Sequence, residues 1–391
     1  MPEGSFREIK VRDQLALGAD SGTVTVPLPT ANYISGLLIR VQNTNGATSN
    51  TDVAQTVAEA ITKIEIVADG TVAVTWSGPE CRKFMHFDQG DFPPMEETQA
   101  GAEVQWASFP INFGTSDFDK EFVLPAWKYH TLDLKVTWAF TDSATAGFAT
   151  SETNALMDVI VRMLVPPAGA KLQNTPLLSH KTVYSQTITS TGSQEAVLPV
   201  GAGNGALRRL MFFVYESAIQ DGTDVNTYSL LLNESQVIID QRWDTSQIED
   251  RVRYRAKSSK QVRLYKANGE SWDSKVSRIH RVHGTIRGTC CGVIYEGTSS
   301  TADRVFLNVI KTSGPVDASG GTEGLTGARV VNVSVEGPGV SYATMLDLGT
   351  SDIRDSLNLS REAGVSSLKL KYNQNASGST NIIVAENVVY I

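Results

Sequence analysis

The sequence contains few cysteines. Its 391 residues include three, too few for the disulfide framework that stabilises many secreted domains. Cys290 and Cys291 are neighbours, so their side chains would leave a strand on opposite faces, and Cys81 is far away in sequence. This usage predicts synthesis in a reducing, intracellular compartment.

Long hydrophobic runs are also missing. Apolar runs such as Leu210–Val214 are much shorter than a membrane span, which needs about 20 residues. Residues 1–17 carry charges of both signs and lack the apolar segment of a signal peptide. The chain is therefore expected to be soluble and made in the cytoplasm.

An excess of positive charge is the third thing that the sequence lacks. The formal net charge is −8 and the isoelectric point is about 5.3. A surface devoted to nucleic acid would need the opposite balance. No direct contact with nucleic acid is therefore expected of the chain as a whole.

Catalytic and cofactor-binding motifs are not found either. The sequence has no nucleophile elbow, no zinc motif and no closely spaced carboxylate pair on one strand. Gly201–Gly205 precedes an apolar strand-like run and lacks a Walker lysine, so it is interpreted as a turn. His280 and His283 would point to opposite faces of a strand, and Asp221–Asn226 departs from the EF-hand pattern. We expect no enzyme, no cofactor and no metal site, with an ion at Asp221–Asn226 left open.

What the sequence does contain is a long-period repeat, in which four landmarks recur in the same order. The first two pairs are 170 and 167 residues apart, and the last two are 235 and 236 residues apart. Such consistent separations indicate a duplication with one large insertion in the second copy, within residues 244–348. The pairs are Leu28-Pro29 with Leu198-Pro199, Trp76 with Trp243, Gly114–Asp117 with Gly349–Asp352, and Leu132–Leu134 with Leu368–Leu370.

Apolar and polar residues alternate along much of the chain, which is typical of half-buried strands. The one good helical pattern runs from Val53 to Ile64, and Thr51 or Asp52 could cap it. Many short strands between turn-forming clusters predict β-sandwiches or β-barrels. The clearest alternating segments are Gly22–Pro27, Lys63–Ile66, Thr131–Val136, Val330–Val335 and Leu368–Tyr372.

The repeat suggests a division of the chain. Each copy closes with an apolar strand, at 154–165 and at 381–391, and Pro166-Pro167 breaks the first of them. The predicted segments are an N-terminal arm at 1–20, a first domain at 21–166, a linker at 167–180 and a second domain at 181–391.

With these features the chain resembles the double jelly-roll major capsid proteins of tailless icosahedral viruses with an internal membrane, the adenovirus hexon-like lineage. The resemblance rests on the tandem β domains, the two Leu-Pro landmarks, the hairpins that lead to Trp76 and Trp243, and the passage from Phe122–Ala126 to Leu132–Leu134. It implies an all-β fold of two tandem jelly rolls with few short helices. It also implies a structural homotrimer whose six jelly rolls form a pseudo-hexagonal tile.

The resemblance also implies partners and a location. The partners are other copies of the chain, within and between trimers, together with penton and minor capsid proteins and an inner viral membrane. The location is the virion capsid, after synthesis in the host cytoplasm. The resemblance implies no cofactor.

Residues 251–287 carry the strongest local charge, with eleven basic and two acidic residues. Arg251, Arg253 and Arg255 alternate with Val252 and Tyr254, which places three guanidinium groups on one face if the segment is a strand. The segment could face lipid phosphates, a neighbouring subunit or nucleic acid, or it could be a solvated loop. The candidate patch comprises Arg251, Arg253, Arg255, Lys257, Lys260, Arg263 and Lys266.

Two further hypotheses concern the N-terminus and other functions. Phe6, Arg7 and Ile9 are the candidate contacts of the arm with a membrane or a neighbour. The alternative function is a carbohydrate- or receptor-binding β-sandwich, such as a spike, which would need aromatic platforms on one face. A glycan-cleaving jelly-roll enzyme would need a carboxylate pair that the sequence does not offer.

Overall fold

The computed structural model describes most of the chain. The described residues are 4–390 except 48–54, 144–146, 150–153, 168–174, 202–204, 216–224, 256, 267–270, 274–280, 287–291, 294–303, 307–309, 312–328, 339, 341, 349–355 and 360–362.

The first half of the chain forms two facing sheets. One sheet has the order β2-β8-β4-β5, and the other has the order β1-β9-β3-β7-β6. Along β8 the residues alternate between the core and the surface, with Leu134 and Val136 buried, as the sequence pattern predicts. The strands are β1 (Ser5–Ala16), β2 (Ser21–Pro27), β3 (Tyr33–Thr44), β4 (Ile61–Ala68), β5 (Thr71–Trp76), β6 (Met95–Glu96), β7 (Val104–Asn112), β8 (Leu132–Ala139) and β9 (Leu156–Val165).

The second half repeats this arrangement. Its sheets have the orders β11-β24-β13-β14 and β10-β25-β12-β22, and each strand occupies the place of its counterpart in the first half. The strands are β10 (Pro176–Thr187), β11 (Gly192–Leu198), β12 (Ala206–Tyr215), β13 (Val225–Leu232), β14 (Gln236–Arg242), β22 (Ala343–Asp347), β23 (Leu357–Asn358), β24 (Leu368–Gln374) and β25 (Thr380–Tyr390).

Two matching β-bulges in each half establish which residues correspond. The ladder of β3 with β9 shifts register between Ile34 and Gly36, and the ladder of β12 with β25 shifts between Leu207 and Arg209. The ladders of β1 with β9 and of β10 with β25 shift after Lys10 and after Thr182. Because bulges are specific features of a fold, their agreement supports the duplication. The predicted fold class, two tandem jelly rolls, is confirmed.

Among the residues that the structure describes, the helices are few and short. They are α1 (Val57–Ala60), α2 (Gly78–Gln89), α3 (Trp243–Tyr254) and a 3₁₀ turn at Ala126–Lys128. The helix predicted over 53–64 is wrong for most of its length. Only Val57–Ala60 is helical, capped by Thr56 and Glu59, and β4 begins at Ile61 because Ile64 and Ile66 alternate toward the core. Val53 and Ala54 lie outside the described residues.

The segments predicted as arm and linker are partly strands. Residues 5–16 form β1, where Val11 and Leu15 pack on the first core and compensate for ordering this segment. Residues 176–180 begin β10, whose Leu177 packs on the same core. Both segments differ from the prediction because each has apolar residues that a neighbouring sheet can bury.

A long excursion leaves the second jelly roll between α3 and β22. Its main sheet has the order β15-β21-β17, and two short pairs join β16 to β19 and β18 to β20. The corresponding connection in the first jelly roll, from α2 to β7, is short. The excursion strands are β15 (Lys257–Lys266), β16 (Ser271–Asp273), β17 (Arg281–Ile286), β18 (Gly292–Val293), β19 (Arg304–Phe306), β20 (Ile310–Lys311) and β21 (Arg329–Pro338).

The two jelly rolls are joined through a shared sheet. Strand β5 of the first pairs in parallel with β10 of the second at Thr75 and Lys181, so one sheet runs through both. Among the residues described, no helix is both long enough and apolar enough to cross a membrane.

Candidate functional site

The predicted basic patch begins on a helix, and the strand geometry expected for it is wrong. Arg251 and Arg253 lie in the last turn of α3, and Arg255 ends the helix with a φ of 54°. Helical spacing places Arg251 and Arg255 on one side and turns Arg253 away. The segment is helical because Trp243, Gln247 and Asp250 are buried at helical spacing, and basic residues in a last turn interact favourably with the helix dipole.

Arg263 of the predicted patch contacts acidic residues within the chain. Its Nη1 lies 2.6 Å from Glu103 Oε2 and 3.5 Å from Glu96 Oε1. The main chain of Arg263 also accepts a hydrogen bond from Gln99 N and donates one to Glu97 O. Arg263 therefore fixes β15 of the excursion to the first jelly roll.

Of the other patch residues, Arg253 also lies near an acidic side chain of the same chain. Arg253 Nη1 lies 3.7 Å from Asp347 Oδ2, and its side chain is more than half exposed. Lys257, Lys260 and Lys266 lie on β15, and their side chains are outside the described part of the structure. An anionic partner for the patch stays a prediction.

The predicted arm contacts all lie on β1. Phe6 packs edge-on against Phe118 with ring centroids 5.3 Å apart, beside the buried residues Tyr33 and Leu164. Arg7 and Ile9 are exposed on the same strand. Phe6 therefore contacts its own jelly roll, and a role for Arg7 and Ile9 with a neighbour stays a prediction.

The most distinctive polar cluster lies at the junction of the jelly rolls. Arg209 on β12 donates to Glu386 on β25 from Nε over 2.6 Å and from Nη2 over 2.9 Å. Its Nη2 also donates to Asp88 of α2 over 2.6 Å. Arg208 Nη1 lies 2.8 Å from Glu386, and His180 Nε2 lies 3.3 Å from it. A buried arginine thus connects a carboxylate of each jelly roll.

Burial and charge act in opposite directions on these groups. Burial would raise the pKa of Glu386, but Arg209, His180 and Arg208 hold the pKa well below its usual range. Burial would also lower the pKa of Arg209, and Asp88 and Glu386 raise it well above the usual value. Burial raises the pKa of Asp88, and the charge of Arg209 offsets part of that rise. Glu386 is therefore the principal negative partner of Arg209.

Helix α2 completes this junction with aromatic contacts. The His180 ring lies 4.8 Å from the rings of Trp76 and Phe84, and the Arg209 guanidinium lies 5.1 Å from Phe84. Lys83 Nζ lies 4.8 Å from the Phe213 ring. Eight of the twelve residues of α2 are buried.

The start of α2 is tied to the second jelly roll as well. Ser77 and Glu80 form a capping box at the first turn. Glu80 also accepts a hydrogen bond from Thr182 of β10 over 2.5 Å. Burial raises the pKa of Glu80, and its hydrogen bonds with Thr182 and Ser77 lower it. The same carboxylate therefore serves both the helix cap and the junction.

Helix α3 also carries a buried carboxylate, Asp250. Its Oδ2 accepts hydrogen bonds from Thr344 Oγ1 over 2.9 Å and from Met345 N over 3.1 Å. Burial raises the pKa of Asp250 to about 7, although these two donors lower it. This carboxylate gains and loses its proton near neutral pH.

The junction cluster was not predicted from the sequence, although charged residues within apolar segments pointed to it. Arg209 and Glu386 are charged residues within apolar strand segments, Leu207–Val214 and Ile382–Val389. A charge in such a run needs a partner when it is buried. The partner's identity depends on how β12, β25 and α2 meet, which the sequence pattern does not contain.

Across the described parts of the chain, no group of three or more His, Cys, Asp or Glu side chains is placed to hold a metal ion. The Arg209 cluster joins the two jelly rolls through buried ion pairs.

Comparison with known proteins places the fold. No protein-family model matches the sequence, and no characterised protein matches it by sequence. The chain is similar in structure to the major capsid protein of STIV, with a TM-score of 0.59, 10% identity, and coverage of 99% of this chain and 97% of that chain. A chain from the atomic structure of Sulfolobus Turreted Icosahedral Virus matches with a TM-score of 0.59 and 11% identity. The match covers 99% of this chain and 91% of that chain.

A bacteriophage protein supports the same conclusion. The major capsid protein from bacteriophage PM2 matches with a TM-score of 0.51 and 10% identity over 98% of each chain. This chain has the double jelly-roll fold of viral major capsid proteins. The resemblance inferred from the sequence is confirmed at the level of the fold.

Proposed function

We propose that this protein is the structural major capsid protein of an icosahedral virus and assembles as a homotrimer. The observation that carries the proposal is the match along the full length of the chain and nearly the full length of capsid proteins, at 97–98% of those chains. Three chains would supply six similar jelly rolls, so that a threefold object can occupy a nearly sixfold lattice site. Its place is the virion shell, after synthesis in the host cytoplasm.

The alternative of a carbohydrate- or receptor-binding protein has less support. It would need exposed aromatic platforms, whereas the repeat-related Trp76 and Trp243 are only 1% and 2% exposed. The buried Arg209 cluster serves to join domains, which suits a building block better than a catalyst.

The proposal extends to partners and organisation. The building units are residues 21–166 and 181–391, each completed by the strand residues that precede it. Further copies, penton and minor capsid proteins and an inner membrane are the proposed partners, and direct nucleic-acid contact is not expected. Arg251, Arg253 and Arg255 are proposed to face an anionic surface in the shell.

Mass measurement by light scattering, followed by electron microscopy, tests the proposal. We expect a trimer of about 127 kDa, three times 42.3 kDa, with a hexagonal outline. A stable monomer that binds glycans would contradict the capsid role and favour the alternative.

A further inference from the structure

Two surfaces meet at the junction between the jelly rolls. Because the chain is duplicated, each of these surfaces has a counterpart elsewhere in the chain, and both counterparts are exposed. Within the chain, α2 covers one face of the sheet β10-β25-β12-β22, and β5 pairs with the β10 edge of that sheet. That face contributes Met211 and Val384 to the core of the first jelly roll, while the opposite face of the same sheet contributes Phe212 and Ile383 to the core of the second. Both faces of this sheet are therefore buried.

The counterpart of this sheet in the first jelly roll is less covered. The matching bulges align the Met211–Val384 rung with the rung of Leu38 and Ile160. Leu38 and Ile160 point away from their own core and remain partly exposed. Strand β1, the counterpart of β10, lies at the end of its sheet, and its Ile9 corresponds to Lys181. The first jelly roll thus has an uncovered face equivalent to the one that α2 covers.

The counterpart of α2 is also uncovered on one side. Helix α3 packs its Trp243 and Asp250 inward, as α2 packs its own buried residues. Its outward side has Ile248 at 62% and Val252 at 80% exposure, one helical turn apart. Strand β14, the counterpart of β5, ends its sheet and leaves Val237 at 56% exposure.

We propose that α3 and the edge of β14 of one copy dock on the Leu38–Ile160 face and the β1 edge of the next copy. The contact repeats the internal junction, with α3 in the place of α2 and β1 in the place of β10. Each copy offers one donor surface and one receiver surface, so the contact is heterologous, and a rotation of one third of a turn between copies closes it into a ring of three. The inference deepens the proposed function, since it names the surface that forms the trimer.

A pair of acidic substitutions on α3 tests this surface. I248D/V252D places two carboxylates against the apolar side chains of Leu38 and Ile160, and we expect it to be monomeric at concentrations where the unaltered chain is trimeric. V197D is the matched control, because Val197 is 61% exposed on β11, at the opposite edge of the sheet that contains β14. This control should remain trimeric, and thermal unfolding verifies that both variants are folded.

Cross-linking provides a second measurement that does not depend on the acidic variant folding. Cys290 and Cys291 are first replaced by serine, and Cys81 is buried. V252C/I160C treated with a short bismaleimide should give covalent dimers and trimers, whereas V197C/I160C should stay monomeric on a denaturing gel.

The possible results separate this inference from the proposed function. A trimer that survives I248D/V252D, or that shows no V252C/I160C cross-link, overturns the surface while leaving the trimer intact. In that case α3 serves another partner. An unaltered chain that stays monomeric overturns the surface and the trimer together.

Discussion

At the scale of single residues, the same type of ion pair has two different roles. Arg209 with Glu386 is almost fully buried between jelly rolls, whereas Lys63 with Glu65 lies 2.9 Å apart on the surface of β4. Removing one partner of a buried pair leaves an uncompensated charge, and exposed pairs contribute little. The location of a pair therefore matters more than its composition.

We expect R209M to lower the free energy of unfolding by about 3–5 kcal/mol, because Glu386 and Asp88 lose their main partner. The matched substitution K63M, in an exposed pair, should cost less than about 1 kcal/mol. Urea unfolding of both variants measures the difference. Equal losses would show that Arg209 does not stabilise the junction.

The loss in R209M should also depend on pH. In the unaltered chain the lowered pKa of Glu386 gives stability above the usual carboxylate range, which is lost as the pH falls. Without Arg209, burial dominates and the ionised carboxylate becomes unfavourable. R209M should therefore be closer to the unaltered protein at pH 4 than at pH 7, as measured by melting temperature.

Asp250 gives a prediction of the opposite sign. Its pKa rises from 3.8 to about 7 on folding, so the unfolded chain releases this proton first and stability falls as the pH rises from about 4 to about 7. D250N keeps the oxygen that accepts from Thr344 and Met345 but cannot ionise. It should be more stable than the unaltered chain at pH 8, by up to about 4 kcal/mol, and similar at pH 4. If D250N changed the melting temperature equally at pH 4 and pH 8, the raised pKa of Asp250 would be contradicted.

At the scale of elements, the strands were predictable and the helices were not. The alternation of apolar and polar residues in Leu132–Val136 and Leu368–Tyr372 predicted strands correctly, because one face of each sheet is buried. Helix α2 was missed, although Ser77, Pro79 and Glu80 form a recognisable helix start. The end of α3 could not be assigned from the sequence, because Arg251–Arg255 also alternates as in a strand and only the packing of the helix decides between the two periods.

Gly78, the first residue of α2, lies too close to its neighbours for any side chain to fit. A Cβ on Gly78 would lie 2.3 Å from Ala58 O and 2.9 Å from a ring carbon of Phe109. Because the nearest atom belongs to the backbone, G78A should cost about 1–3 kcal/mol through overpacking. In G22A the added Cβ meets only the Trp138 ring, at 3.0 Å, so the cost should be smaller. Chemical denaturation of the two variants compares them.

At the scale of the whole molecule, the two jelly rolls share one sheet and one core cluster. The cluster that includes Trp76 and Ile39 extends to Met211 and Val384 of the second half. The junction could not be predicted from the repeat, because the repeat gives two similar units but not how they meet.

This sharing predicts cooperative unfolding. Scanning calorimetry of the chain should give one transition, because neither jelly roll can expose the junction without losing part of its own core. Measurements at two protein concentrations separate subunit dissociation from unfolding. Two transitions that are independent of concentration would show that the jelly rolls unfold separately.

The excursion of the second jelly roll has a different consequence. Its first and last long strands, β15 and β21, form an antiparallel ladder from Lys257 with Pro338 to Lys266 with Arg329. The chain therefore leaves and returns at neighbouring points, with Arg263 fastening the departure point to the first jelly roll. We expect that a foreign peptide inserted between β17 and β21, which pair within this sheet, would leave both jelly rolls in place, so this excursion is an attachment point for engineered display.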